Sequence, residues 1–415
     1  MAEIEYREYR PEDADSFLRL HDSAFPPITS EYWAAWSRGD ATAAVAVMDG
    51  EVVGTVPFVF RYFRLRADAV IRVAWEYSVV VREDLRDKGV GSRVMDAAKR
   101  FLRGRCAAMA VYRGDERSNG YRYYHRNGHQ DLLYARVWAR GGLTEGMSSV
   151  QISTHGVLSC TWREFLADEA QFLDVFASAY GAYGGYPKRQ VGFYAHAVDT
   201  VQYNEVPVEL AVFVARDSAG VMQGYAIAGQ ERTNPVTHLL EIAARDNDQA
   251  VALRLLAAFS NLADEKGAPP KVMTSDASPY VPALRMLGFQ PSPRADDPMM
   301  IMAYPLDPEG LTSAVWRDSP RPQGGGSPAT DALDVMAWTP QREVYLHRAK
   351  GPNGRRIVLE MKEHSLARLL FSRLDLLAAV RQETVTAIGA GPADLEAIAQ
   401  ALPFTPWVYH YLDQI

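Results

Sequence analysis

The sequence predicts a mixed α+β chain of three segments, the first two laid out on one plan. Three features carry that expectation. β-Branched and aromatic runs alternate with amphipathic helical stretches through the first 140 residues, much the same order of elements returns after Cys160, and the patterning changes again near Leu306. The 415 residues amount to two or three domains at roughly 150 residues each. Segment boundaries are read at 1–150, 151–306 and 307–415.

In the first segment, residues 4–9 alternate as a short strand. Pro11-Glu12-Asp13 opens a helix through Phe17, Leu18, Leu20 and Phe25, because proline presets the first-turn φ and acidic side chains suit the positive end of the helix. Strands 42–48 and 52–63 flank the hairpin dipeptide Asp49-Gly50, and 70–81 is a longer strand. A helix follows with Val90, Val94, Ala97 and Phe101 at helical spacing. Strand 107–112, an aromatic helix over 121–127 stopped by Gly128, and strand 132–138 close the unit.

The second segment reads as a diverged copy. It has one helix over 162–180, strands 210–215, 223–230 and 238–244, a helix over 249–262, strand 271–275, a short helix ending at Gly288 and strand 299–304. In the third, a Pro/Gly-rich stretch over 320–328 reads as a surface loop. Strands 344–348 and 357–362 flank residues 351–354 as a hairpin, and amphipathic helices lie around 365–371 and 393–402.

Apolar residues make up 48% and charged residues 23%, which excludes a disordered or collagen-like chain. The net charge of −7 argues against a nucleic-acid partner and for a cationic one. Cys106 and Cys160 stand alone, as in a reducing compartment. The charged start MAEIEYREYRPED is not an export signal, and no apolar run approaches the roughly 18 residues of a membrane span. These features predict a cytoplasmic protein with no membrane association.

Arg86-x-x-Gly89-x-Gly91 is the motif with chemistry in it. It sits between a strand and a helix. Glycines there let the backbone approach a pyrophosphate, the helix N-terminus supplies free N–H groups, and Arg86 and Lys88 add charge. The spacing fits neither the Walker pattern nor the dinucleotide fingerprint. His125 and His129 are four apart but lack a third ligand, so no metal is expected. Lys99, Arg100, Arg103 and Arg105 read as a solvated basic cluster that could assist a further phosphate of the ligand.

Strand, RxxGxG and helix together resemble the GCN5-related N-acetyltransferases (GNAT), which bind acetyl-CoA at that loop. Tyr124, four residues before Gly128, fits the family's tyrosine near the CoA sulfur, and a phenol can protonate a leaving thiolate. Over the whole chain, the order of segments resembles the Eis (enhanced intracellular survival) family: two tandem GNAT folds and a sterol-carrier-protein-like α+β domain. That resemblance implies acetyl-CoA as cosubstrate and no metal. It implies a small amine acceptor of aminoglycoside or polyamine type, and a homo-oligomer, typically a hexamer.

Carried over by residue, the pantetheine would lie along Val79, Val80 and Val81. The pyrophosphate would meet Arg86, Asp87, Lys88, Gly89, Val90, Gly91 and Ser92, with Tyr124 and His125 at the thiol end. The family's proton-donor tyrosine directly after the helix-ending glycine is His129 here, so the acid is Tyr124 or His129. The base is the C-terminal carboxylate, here that of Ile415, or Glu76 on the strand before the motif. In the second copy Asp248 and Ala250 replace the two glycines, and a carboxylate there would repel pyrophosphate, so one CoA site per chain is expected. A CoA- or lipid-binding protein without catalysis, and acetylation of protein lysines or N-termini, are the alternative readings.

Overall fold

The computed structural model describes residues 3–24, 40–114, 117–140, 152–195, 209–230, 236–292, 299–317 and 329–413. Phe25, the 320–328 loop and Ile415 lie outside the described residues.

The first segment contributes β1 (Ile4–Glu8), β2 (Ala41–Met48), β3 (Glu51–Arg66), β4 (Ala69–Glu76), β5 (Val80–Val81), β6 (Ala108–Gly114) and β7 (Gln130–Arg140). Its helices are α1 (Ala14–Asp22), α2 (Val90–Leu102) and α3 (Asn119–Arg126). The second contributes β8 (Val157–Cys160), β9 (Tyr186–Pro187), β10 (Glu209–Arg216), β11 (Met222–Gln230), β12 (Thr237–Ala244), β13 (Pro270–Ser275), β14 (Phe289–Pro291) and β15 (Met299–Pro305). The helix expected over 162–180 is broken at Asp168 into α4 (Trp162–Ala167) and α5 (Glu169–Tyr180). A further helix, α6 (Gln249–Glu265), follows β12.

The two copies share one sheet of 15 strands among the described residues. Its main path is β1-β2-β3-β4-β6-β15-β7-β13-β12-β11-β10-β8. Strand β7 therefore does not close the first unit beside β6. Strand β15 inserts between them, with Ile301 opposite Tyr112 on one side and Leu133 on the other. It can do so because it is apolar on both faces. Met300 and Met302 pack into the core beneath α2, while Ile301 and Ala303 face the core shared with the third segment.

Both copies carry the same local defect. β4 and β6 run parallel and pair only from Val73↔Ala108 to Trp75↔Ala110, and β12 and β13 only from Thr237↔Pro270 to Leu239↔Val272. Beyond those pairs the strands part. In the first copy the expected strand over 70–81 is interrupted. Tyr77 N–H still bonds the Pro57 carbonyl at 3.1 Å, Ser78 takes φ 38°, and pairing resumes with Val80 opposite Thr55. Ser78 and Val79 thus stand against one residue, Val56. Such a bulge turns the strand edge away from its former neighbour.

The third segment forms a smaller sheet of β16 (Leu333–Trp338), β17 (Glu343–His347), β18 (Arg355–Met361) and β19 (Val385–Ile388), ordered β17-β16-β18-β19. The expected hairpin between the strands around 351–354 does not form. β16 lies between them and runs parallel to β18. The connection instead folds back on β16, where Asp334 Oδ1 accepts from Ala349 N–H at 2.8 Å. Leu333, Val335 and Ala337 pack in one core with Trp75 and Ala110 of the large sheet, so this sheet braces the strands that part.

Candidate active site

The loop before α2 owes its shape to two left-handed residues, Asp87 (φ 60°) and Gly89 (φ 80°). A Cβ on Gly89 would meet nothing within 4 Å, so the backbone angle and not space reserves this position for glycine. Gly91 differs. A Cβ there would lie 3.2 Å from Tyr123 Cε2 and 3.5 Å from Val81 Cγ2. Arg93 N–H bonds the Gly89 carbonyl at 3.1 Å, so the amides of Gly89 to Ser92 precede the helix's own ladder and can serve an anion.

This loop opens into a cleft of about 830 Å³ between the bulged strand, β6 and α3. Val79, Val81, Arg86, Asp87, Gly91, Glu76 and Tyr124 line it; Tyr112 and Tyr123, not singled out from sequence, do so as well. Val80 turns its side chain into the core with Phe17 and Val45, and Val90, the first residue of α2, is buried in the core with Val94 and Met95. Lys88, Gly89 and Ser92 are exposed on the loop without lining the cleft. His125 is also off the cleft wall. Its Nε2 lies 2.7 Å from the Tyr121 hydroxyl, which donates to Asp131 Oδ2 at 2.7 Å.

The two sequence candidates for base and acid touch each other. Glu76 Oε1 and His129 Nε2 are 2.6 Å apart, and both side chains are 0% exposed. Gly128 turns the chain with φ 85°, and His129 N–H bonds the Tyr124 carbonyl at 3.1 Å, which fixes the imidazole behind the carboxylate. Glu76 borders the cleft and His129 does not. Among the described residues, Glu76 Oε2 and His129 Nδ1 have no hydrogen-bond partner. The Tyr124 ring sits 5.2 Å from that of His129, edge to face. Burial, reinforced by the Glu76 charge, raises the Tyr124 phenol well above its ordinary value, so it keeps its proton at neutral pH.

The basic cluster at the end of α2 is engaged elsewhere. Lys99 Nζ donates to the Asn127 carbonyl at 2.6 Å and lies 4.3 Å over the Tyr304 ring, and Arg105 grips both oxygens of Glu8. None of its four residues lines the cleft.

The second copy's gap is filled. Tyr180 donates to the Ile242 carbonyl at 2.5 Å, Tyr280 accepts from Ala244 N–H at 2.7 Å, and Tyr409 and His410 of the C-terminal tail enter from the other side. About 20 Å³ remains. At the start of α6, Asp248 Oδ1 accepts from Ala250 N–H (2.8 Å) and Val251 N–H (3.1 Å), so a side-chain carboxylate holds the amides that would otherwise meet a phosphate.

The tail is tied down along its length. Ser275 Oγ donates to the Trp407 carbonyl and Trp407 Nε1 to the Leu65 carbonyl, both at 2.9 Å, and Arg189 pairs with Asp413 at 2.8 Å. Arg189 also pairs with Glu241, which accepts from the Tyr194 and Tyr225 hydroxyls at 2.7 Å each. Burial pushes the Asp413 carboxyl up to about 7 against the pull of Arg189. Burial opposes the guanidinium's charge too, but the two carboxylates hold it above its ordinary value. Asp413 also acts on the cleft. Burial first, then the Asp413 charge, raises the phenol of Tyr112, whose ring is 5.6 Å from that of Tyr409.

Residues 3–129 match the acetyltransferase (GNAT) family. The match falls on the segment that holds the RxxGxG loop and the cleft, so this first segment is similar to a GNAT acetyltransferase domain. No curated protein matches the sequence. Solved structures match it in fold over nearly its full length. A conserved protein of Enterococcus faecalis V583 has TM-score 0.70 at 12% identity, covering 99% of this chain and 98% of that one. A GCN5-related N-acetyltransferase of Anabaena variabilis has TM-score 0.66 at 13% identity, covering 98% and 99%. Eis1 of Mycobacterium abscessus has TM-score 0.60 at 12% identity, covering 98% and 99%. The likeness is one of architecture, and it takes in all three segments. Among the described residues no helix is long and apolar enough to cross a membrane, and no cluster of metal-ligating side chains occurs.

Proposed function

We propose that the chain transfers the acetyl group of acetyl-CoA to a primary amine by direct attack, in the first segment's cleft. The convergence of Glu76, His129 and Tyr124 beside a cleft that begins at an anion-binding helix terminus carries this reading. The residues present suit acetyl-CoA. The amides of Gly89 to Ser92 would take the pyrophosphate, Gly91 lets α3 close over them, and the unpaired edge at Val79 to Val81 offers the pantetheine a strand-like partner.

Glu76 is the base in this reading. Its Oε2 is free to accept a proton from an ammonium, directly or through water, and His129 holds its other oxygen. Tyr124 supplies an O–H to the departing sulfur. A phenol raised well above 10 is a weaker acid than a thiol of about 8.5, so its contribution is a hydrogen bond that stabilises the thiolate more than a completed proton transfer. The acceptor we infer is a small cationic amine of aminoglycoside or polyamine type, in keeping with the net charge of −7. The third segment we read as the sterol-carrier-protein-like domain. The inner face of its sheet is spent on packing against the large sheet, which supports a bracing role over lipid carriage.

A second reading gives the base to the Ile415 carboxylate. The tail favours it by being clamped beside Tyr112 as far as Asp413. Release of CoA thiol over a panel of aminoglycosides, polyamines and lysine peptides tests both. Turnover abolished by Glu76→Gln and kept on deleting Gln414 and Ile415 supports the first reading; the reverse pattern supports the second. CoA binding without turnover on any amine would sink the acetyltransfer assignment.

A further inference from the structure

The cleft holds more positive charge than its phosphate loop needs. Arg86, Arg113, Arg122 and Arg126 line it, against the carboxylates of Glu76 and Asp87. None of the four arginines is paired with a carboxylate among the described residues. Arg86 Nε donates to the Val81 carbonyl at 3.2 Å, Arg113 to Ser118 Oγ at 3.2 Å and Arg122 to Asn119 Oδ1 at 2.8 Å. Arg126 makes no hydrogen bond or ion pair there. Elsewhere in the same segment arginines find acids, as in Arg7–Asp13, Arg82–Asp84 and Arg105–Glu8. Unpaired guanidiniums gathered on a concave wall of an acidic chain mark a place for an anion.

The geometry of α3 sorts these arginines. Tyr123 is pinned to the start of α2, its hydroxyl donating to the Gly91 carbonyl at 2.9 Å. Measured around the helix from Tyr123, Arg122 lies about 100° and Arg126 about 60° to one side, and Tyr124 about 100° to the other. Tyr124 therefore turns toward His129 and the core, while Arg122 and Arg126, four residues apart and exposed, stand together at the open side of the cleft. Arg113 is committed differently. Its guanidinium lies flat over Gly120, where a Cβ would come within 2.5 Å, and it reinforces the helix start.

We propose that Arg122 and Arg126 form a phosphate-monoester subsite that takes the 3′-phosphate of CoA, so that the protein discriminates CoA from 3′-dephospho-CoA. The inference rests on the acetyl-CoA reading above. A phosphate monoester carries about −1.5 to −2 charges at neutral pH, which two guanidiniums with paired N–H donors match. The pyrophosphate is left to the α2 amides beside Tyr123, one helix face away.

Calorimetric titration of the full chain with CoA and with 3′-dephospho-CoA tests the subsite. Wild type is expected to bind CoA about tenfold or more tightly than the dephospho form, as two partly exposed charge-assisted contacts would give. In R122A/R126A the preference should fall to about twofold or less, with affinity for dephospho-CoA unchanged. R122K/R126K, which keeps the charge and loses the paired donors, should restore part of it. The preference is a ratio on one protein, so a general loss of fold lowers both affinities and leaves it intact. A preference that survives R122A/R126A, or equal binding of both ligands to wild type, overturns the subsite. Binding of neither ligand to folded wild type overturns the acetyl-CoA reading itself.

Discussion

Breaking the Glu76–His129 pair from its two ends should give opposite signatures. The two side chains are fully buried and 2.6 Å apart, with the Tyr124 ring edge-on and the Tyr304 ring tilted against the imidazole. His129→Ala leaves a buried carboxylate without its partner, a defect that costs about 3–5 kcal/mol. At about 2–4 °C per kcal/mol for a unit of this size, the melting temperature should fall by roughly 6–20 °C. Glu76→Gln keeps the shape and a hydrogen bond to a neutral imidazole, so its stability should stay within about 1.5 kcal/mol of wild type. What it removes is the base of the first proposed reading, under which turnover should fall by about 10²–10⁴ with CoA affinity unchanged. Thermal denaturation, CoA calorimetry and thiol release with the best amine of the panel read the three quantities separately. A His129→Ala melt within about 2 °C of wild type, or Glu76→Gln turnover within a factor of about three, would refute the argument that this buried, hydrogen-bonded pair serves the chemistry here.

Gly89→Ala forces a left-handed alanine in open space, at about 1–2 kcal/mol, and should weaken CoA binding in calorimetry with little change in the rest of the fold. Titration should reach one CoA per chain, and Asp248→Gly should leave that stoichiometry unchanged, because Tyr180, Tyr280 and the tail would still fill the second gap; a second equivalent would show that the gap opens in solution. Asp413 titrates near 7 in the fold against an ordinary 3.8, so the folded state holds this proton more tightly and its contribution to stability is lost as pH rises from about 4 to about 7, by at most about 4 kcal/mol. Asp413→Asn should therefore gain stability relative to wild type across that window; a difference that is flat with pH, measured by denaturant melts at pH 4 to 8, would contradict this assignment of the group.

Much of this protein is written locally in its sequence. The Arg86–Gly91 loop, its place between strand and helix, and the loss of its second-copy counterpart at Asp248 follow from residue type and spacing, since left-handed backbone and anion binding are decided within a few residues. The longer strands and the helices of the first two segments can be read from periodicity for the same reason, whereas the short strands β8, β9 and β14 offer too few residues to show a period. Tertiary structure decided the pairings. An apolar strand such as β15 has no local sign of which neighbours it will take, and it left its own copy to join the first; β16, overlooked in sequence, parted the expected hairpin of the third segment. The Glu76–His129 contact joins residues 53 positions apart, and the filling of the second gap by Tyr409 and His410 brings the end of the chain to its middle. Side-chain alternation records which face is buried. It carries no record of which distant surface does the burying, so the closed second cleft, the backing of Glu76 by His129 and the arginine pair of α3 beside the phosphate loop emerge only when the chain is folded.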